Sequence, residues 1–147
     1  AFPGDVAGIR LDGGAVLVIP AVPPEFVRET WYRSIDRLES EDLAAIYPTH
    51  FGRTENVTQH WHDLRILIGE ASGFIHGMLV MGADRESILR EYTAWNRGQA
   101  AEAGATAQTI DRVELANPLA MSVDGITRYW RKRMGEQAGG DGGDAGR

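Results

Sequence analysis

Apolar positions along the chain fall into two regimes. Before about residue 56 they come in short runs cut by Gly and Pro, and beyond it they recur at helical spacing. In the first regime, Ala15-Val16-Leu17-Val18-Ile19 follows the turn signal Asp12-Gly13-Gly14 and is closed by Pro20. A short β-branched run so bounded predicts a buried strand. Pro23-Pro24 predicts a helix start, with Pro24 near the first helical position and Glu25 and Glu29 where the helix dipole favours acids. Phe26, Trp31, Ile35 and Leu38 supply its apolar stripe. Leu43-Ala44-Ala45-Ile46-Tyr47 is short enough for a second strand, ended by Pro48.

The second regime predicts four helices. The first begins near Thr54 or Asn56 and carries Val57, Trp61, Leu64, Ile68, Ile75 and Leu79. Within it Gly69, Gly73 and Gly77 stand four apart and so share a face. Each costs about 1 kcal/mol of helix propensity relative to Ala, which predicts close packing against a neighbouring element, with a break at Gly73 as the alternative. Asp84 caps a second helix to about Arg97, and Gly98 to Thr106 reads as a loop. The third helix carries Ile110, Val113 and Leu115 and closes at Asn117-Pro118. The fourth runs from about Leu119 to a C-cap at Gly135, so Arg131, Lys132 and Arg133 fall where the helix dipole favours cations. Residues 136–147 are Gly/Asp-rich without an apolar anchor and read as a disordered tail.

Composition narrows the functional classes. The 147 residues are 43% hydrophobic and 24% charged, enough for a real core. A formal net charge of -6 argues against a dedicated nucleic-acid binder. The absence of cysteine excludes disulfides, thiolate metal sites and a cysteine nucleophile. No apolar run is long enough for a bilayer and no signal-peptide pattern is visible, so the expectation is a cytoplasmic protein without a membrane partner.

Two segments carry candidate chemistry, Phe2-Pro3-Gly4-Asp5 and Tyr47-Pro48-Thr49-His50-Phe51-Gly52. Each sets one metal-ligand type, Asp5 or His50, in a Gly/Pro-bearing turn. His50 follows a strand at its C-terminal end, where ligands bind in sheets with helical cover. A glycine before a carboxylate lets the backbone approach an ion closely. Two ligands are too few for a tetrahedral catalytic site, which takes three protein ligands and a water. Read locally, Gly-Asp is also a common turn. His60 and His62 lie two apart, on different sides of a helix, and make no joint site. His76 stands alone.

In their order these segments resemble the C-terminal half of metallo-β-lactamase-fold hydrolases. The match runs through Phe2-Pro3-Gly4-Asp5 with Gly8-Ile9-Arg10-Leu11, Pro23-Pro24 before a helix, and Thr49-His50-Phe51-Gly52. Asn117-Pro118-Leu119, Met121-Ser122-Val123-Asp124-Gly125 and Tyr129-Trp130-Arg131-Lys132-Arg133 are similar to the helical C-terminal extension of one prokaryotic branch. The resemblance implies an α/β fold: the C-terminal half of an αββα metallo-β-lactamase sandwich over residues 1–56, a helical C-terminal extension over 57–134, and a disordered tail over 135–147. It implies two divalent metal ions, zinc first, with iron or manganese as alternatives. Asp5 would bridge the ions and His50 would bind the second, with no catalytic group beyond the metal ligands. The family's His-x-His-x-Asp-His motif and a further histidine are absent from this sequence. The expected function is therefore that of a C-terminal fragment of a metal-dependent hydrolase, inactive alone. The intact parent would use a metal-bound hydroxide on an ester, thioester, lactone, lactam or phosphoester of a small molecule. The alternatives are a non-catalytic helical module, with oligomerisation through the extension, and a redox member of the same fold.

Overall fold

The computed structural model describes residues 1–10, 16–49 and 52–140, with side chains up to residue 136. A 3-10 turn, Gly4–Ala7, leads into strand β1 (Ile9–Arg10), which pairs antiparallel with β2 (Leu17–Val18) in the register Ile9 to Val18. Five helices follow: α1 (Arg28–Glu39), α2 (Val57–Val80), α3 (Arg85–Glu102), α4 (Ala107–Ala116) and α5 (Leu119–Gly140). The expected half-sandwich is thereby overturned. Among the described residues the only sheet is this two-stranded one, and helices carry the fold.

Local chemistry explains why the apolar runs build so little sheet. After Val18 the chain meets Pro20, which has no N–H to give a ladder, and then the cis-linked pair Pro23-Pro24. Val16, Val18 and Ile19 are buried all the same. The segment around residues 43–47 is extended only at Ile46, where Pro48 soon ends it. Helix α1 starts at Arg28, later than Pro23-Pro24 predicts, with Val27 extended before it.

Helix α2 is the spine, and its start is well marked: the Asn56 side chain accepts from the Gln59 N–H. It packs on α1, α3 and α5. One core joins Ala7, Ile19 and Ile46 from the early segment to Trp61, Leu64 and Ile68 of α2, Ile88 and Tyr92 of α3, and Val123 and Ile126 of α5. A smaller cluster joins Ile9, Val16 and Val18 to Ala100, Ile110 and Val113. Full burial of one such aliphatic side chain contributes about 1.5–3 kcal/mol.

Several helix readings are corrected. Helix α2 is unbroken through Gly73, and the glycine face does not pack as expected. A β-carbon on Gly69 would meet the Tyr32 hydroxyl at 3.4 Å, but one on Gly73 or Gly77 would meet nothing within 4 Å. Asp84 does cap α3, through the Ser87 N–H, but the helix absorbs Gly98 and runs to Glu102. Helix α5 continues past Gly135, so Arg131, Lys132 and Arg133 lie inside it rather than at its negative end. Arg133 is instead held by Glu29 at 2.7 Å and lies over the Tyr129 ring. Trp130 locks α5 to α2, donating from Nε1 to the Ser72 carbonyl at 2.9 Å. Of the expected tail, residues 141–147 lie outside the described residues.

Candidate functional site

Three extended segments meet at Ile46, which is fully buried. Ile46 and Thr54 exchange both backbone hydrogen bonds, at 3.0 Å each, as an antiparallel pair does. On the other side of Ile46, the Ala1 amino group donates to the Ala45 carbonyl at 3.1 Å and the Tyr47 N–H donates to the Ala1 carbonyl at 2.8 Å. Bonds that flank one residue in this way make a parallel rung. Phe2 and Tyr47 then stack with ring centroids 5.3 Å apart.

Parallel segments leave a rung at the same end. The turn bearing Asp5 and the segment that reaches Thr49 therefore emerge side by side. A β-carbon on Gly4 would stand 3.8 Å from Oγ1 of Thr49, which measures how closely the two approach. Asp5 is exposed on the 3-10 turn. The expected ligand His50 lies outside the described residues, and the approach that is described is that of Gly4 to Thr49.

The back of the Asp5 turn is built tightly. The Gly8 N–H donates to the Asp5 carbonyl at 2.9 Å, and Gly8 has φ +69°, a conformation that suits glycine. A β-carbon there would come within 3.0 Å of the Val18 carbonyl oxygen and 3.1 Å of Leu64 Cδ1. Beneath it, His60 of α2 is 2% exposed, with Nε2 2.8 Å from the Ala7 carbonyl oxygen. A carbonyl only accepts, so Nε2 carries the proton and Nδ1 is an acceptor. Among the described residues nothing donates to Nδ1. Burial holds the His60 pKa below its ordinary value, aided by Arg10, against the opposing effects of the Ala7 bond and Asp63. His60 is thus a neutral imidazole in the ordinary pH range.

Arg10 and Asp63 pair at 3.2 Å, and Gln59 Nε2 donates to the other Asp63 oxygen at 2.7 Å. This pair divides two clefts. A polar one of about 210 Å³ is lined by Arg53, Thr54, Asn56 and His60, and an apolar one of about 160 Å³ by Val18, Leu67, Ala100, Ile110 and Val113.

The remaining histidines serve packing or solvent. His62 is exposed, and His76 stacks on Trp130 with centroids 3.9 Å apart. Among the described residues no three His, Cys, Asp or Glu side chains are placed to hold an ion together. Asp5 is the one expected metal ligand among the described residues, and one carboxylate is short of the three protein ligands a catalytic zinc takes. Sequence reading singled out Asp5 and His50, of which only Asp5 lies among the described residues, and gave His60 no role, because its partner is a backbone carbonyl 53 residues away. No family model, curated protein or solved structure matches the chain.

Proposed function

We propose that this chain contributes part of the metal site of a metal-dependent hydrolase, with Asp5 and His50 as ligands and the other ligands supplied by residues outside this sequence. The single observation that supports the reading is the approach of the Asp5 turn to Thr49, the residue before His50 in the sequence: a β-carbon on Gly4 would stand 3.8 Å from Oγ1 of Thr49. The motif resemblance to metallo-β-lactamase-type hydrolases supports the same assignment. The cofactor is a pair of divalent ions, zinc first. When bound, such ions supply an acidified water and a Lewis acid for an ester, thioester, lactone, lactam or phosphoester. Within this chain, Asp5 offers a hard oxygen donor on a turn fixed from behind, and His50 a nitrogen donor in the loop beside Thr49. The chain by itself lacks the ligand count for turnover.

The test is a titration of the full chain with Mn²⁺, followed by paramagnetic broadening of backbone amide resonances. Broadening centred on residues 4–8 and 48–52, lost in Asp5→Asn and in His50→Gln, supports the reading. Broadening elsewhere, or none up to millimolar Mn²⁺, removes it. The second reading, a non-catalytic helical module, is favoured by the uncovered side of α2, where Gly73 and Gly77 face open space and Val80 and Met81 are exposed. Such a module is indifferent to metal and to loss of His50, so the same titration separates the two.

A further inference from the structure

We propose that the apolar cleft bordered by β2, α3 and α4 is a binding site for a small neutral molecule about one ring in size. The Arg10–Asp63 pair separates it from the polar cleft beside His60, so the site depends on no metal. Its origin lies in how the two hydrophobic clusters meet. Val16, Val18, Ala100, Ile110 and Val113 belong to the smaller cluster, whereas Leu17, Leu67 and Leu119 pack with the larger one. Residues of both sets line the cleft, which is therefore the seam where the two clusters fail to close on each other. On the α3 side Ala100 is buried yet faces this space, and its single methyl leaves room that a longer side chain would take.

Volume and charge together select the ligand. A cavity of about 150 Å³ lined by Leu, Ile and Phe stays dry and takes up benzene. This cleft holds about 160 Å³, and its buried walls are aliphatic. Water is a poor occupant there, because it needs about two to four polar partners. Among the described residues, the charged side chains that line the cleft are Arg10, Asp63, Arg97 and Glu114, two of each sign. They are already matched: Arg10 pairs with Asp63 at 3.2 Å, and Arg97 Nε donates to Glu114 at 2.8 Å. An acid or an amine would have to break one of these pairs or lie against a carboxylate or guanidinium of its own sign. A neutral ring displaces neither pair and covers apolar wall.

The test titrates the full chain with benzene and, in parallel, with benzoate and benzylammonium, which carry the same ring with a charge. Methyl resonances of Val18, Leu67, Ala100, Ile110 and Val113 report where each ring goes. Benzene should shift these methyls and saturate with a Kd near or below about 1 mM. At about ten times that Kd it should raise the thermal midpoint by about 3–5 °C. The two charged rings should bind at least about tenfold more weakly. Ala100→Leu fills the cleft and should weaken benzene by about tenfold or more while the methyl spectrum stays native. Val113→Ile adds one methylene from α4, should weaken benzene by about threefold, and carries the test if the Leu variant does not fold. Ile88→Val, in the larger core and not lining the cleft, should leave the affinity within about twofold of the wild type. Shifts that never saturate, or that spread over the surface, overturn the proposal. So does benzene binding of wild-type strength in both filled variants. Benzoate or benzylammonium binding as tightly as benzene overturns the neutral-ligand assignment, since an ion pair of the lining would then be yielding to the ligand.

Discussion

Gly125 of α5 faces the carbonyl of Ala21 so closely that a β-carbon built on it would stand 1.9 Å from the oxygen and 2.9 Å from the carbon. The helix and the segment leading to Pro23 can approach only because position 125 has no side chain. Both obstacles are backbone atoms, which cannot rotate aside. Gly125→Ala must therefore push α5 away from Ala21 and disturb Val123 and Ile126, both fully buried. The expected loss is about 2–3 kcal/mol, at the upper end for overpacking. It would be read as a lower urea midpoint at unchanged slope.

Gly73 and Gly77 predict the opposite. A β-carbon at either would meet nothing within 4 Å, and both sit inside α2 with helical neighbours. Replacing either with Ala removes the entropic cost of glycine in a helix and should raise stability by about 0.5–1 kcal/mol. Urea unfolding of each single variant checks this. A destabilised Gly73→Ala or Gly77→Ala would restore the close-packing reading of the glycine face.

The contrast between these glycines shows what the sequence could reveal. A four-residue spacing identifies a shared face, and that much of the reading holds, but spacing carries no information about what lies opposite. Gly125 gave no periodic signal, yet the backbone of another segment closes tightly against it. Helix starts were legible where a side chain caps them: Asn56 and Asp84 mark α2 and α3 correctly. Helix ends were not, because Gly98 and Gly135 are tolerated inside helices that tertiary packing stabilises. The sandwich failed for a related reason. The apolar runs at 15–19 and 43–47 do bury residues, but against helices, and Pro20 and Pro48 confine the ladders to a few rungs. Of the candidate site, the turn that carries Asp5 was legible and its approach to Thr49 was not. That approach depends on backbone bonds from Ala1 to Ala45 and Tyr47, which no residue type announces.

Ile19 and Ser122 define a further test. The Ser122 hydroxyl is fully buried and donates to the Ile19 carbonyl at 2.8 Å, while Asn117 Nδ2 donates to the same oxygen at a longer 3.4 Å. The oxygen closes the end of the segment that Pro20 terminates, so these bonds take the place of ladder partners. Ser122→Ala should cost about 1–2 kcal/mol, since the remaining donor is long. Asn117→Ala alone should cost less at this oxygen. If the Ser122→Ala midpoint equals the wild-type value, the shorter bond contributes nothing net.

His60 gives the chain a pH dependence whose sign follows from its burial. Burial, the largest influence, holds the folded-state pKa below the ordinary 6.5, and nearby Arg10 acts in the same direction. The Ala7 bond and Asp63 oppose both without reversing them. In the unfolded chain the ring titrates near its ordinary value, so just below that pH the unfolded state binds the extra proton and the folded state does not. Stability is then full above pH 6.5 and falls as the pH drops from there to the folded value, below which this contribution to the slope vanishes. Carboxylates contribute their own losses at lower pH, so the variant comparison isolates the histidine. His60→Gln, which keeps a donor for Ala7 but does not titrate, should lose the decline that begins near pH 6.5 and keep the acid transition of the carboxylates. The measurement is the urea midpoint of both proteins from pH 8 to pH 4. Parallel curves through that window would mean that His60 takes up its proton equally in the folded and unfolded chains, contrary to a buried neutral ring.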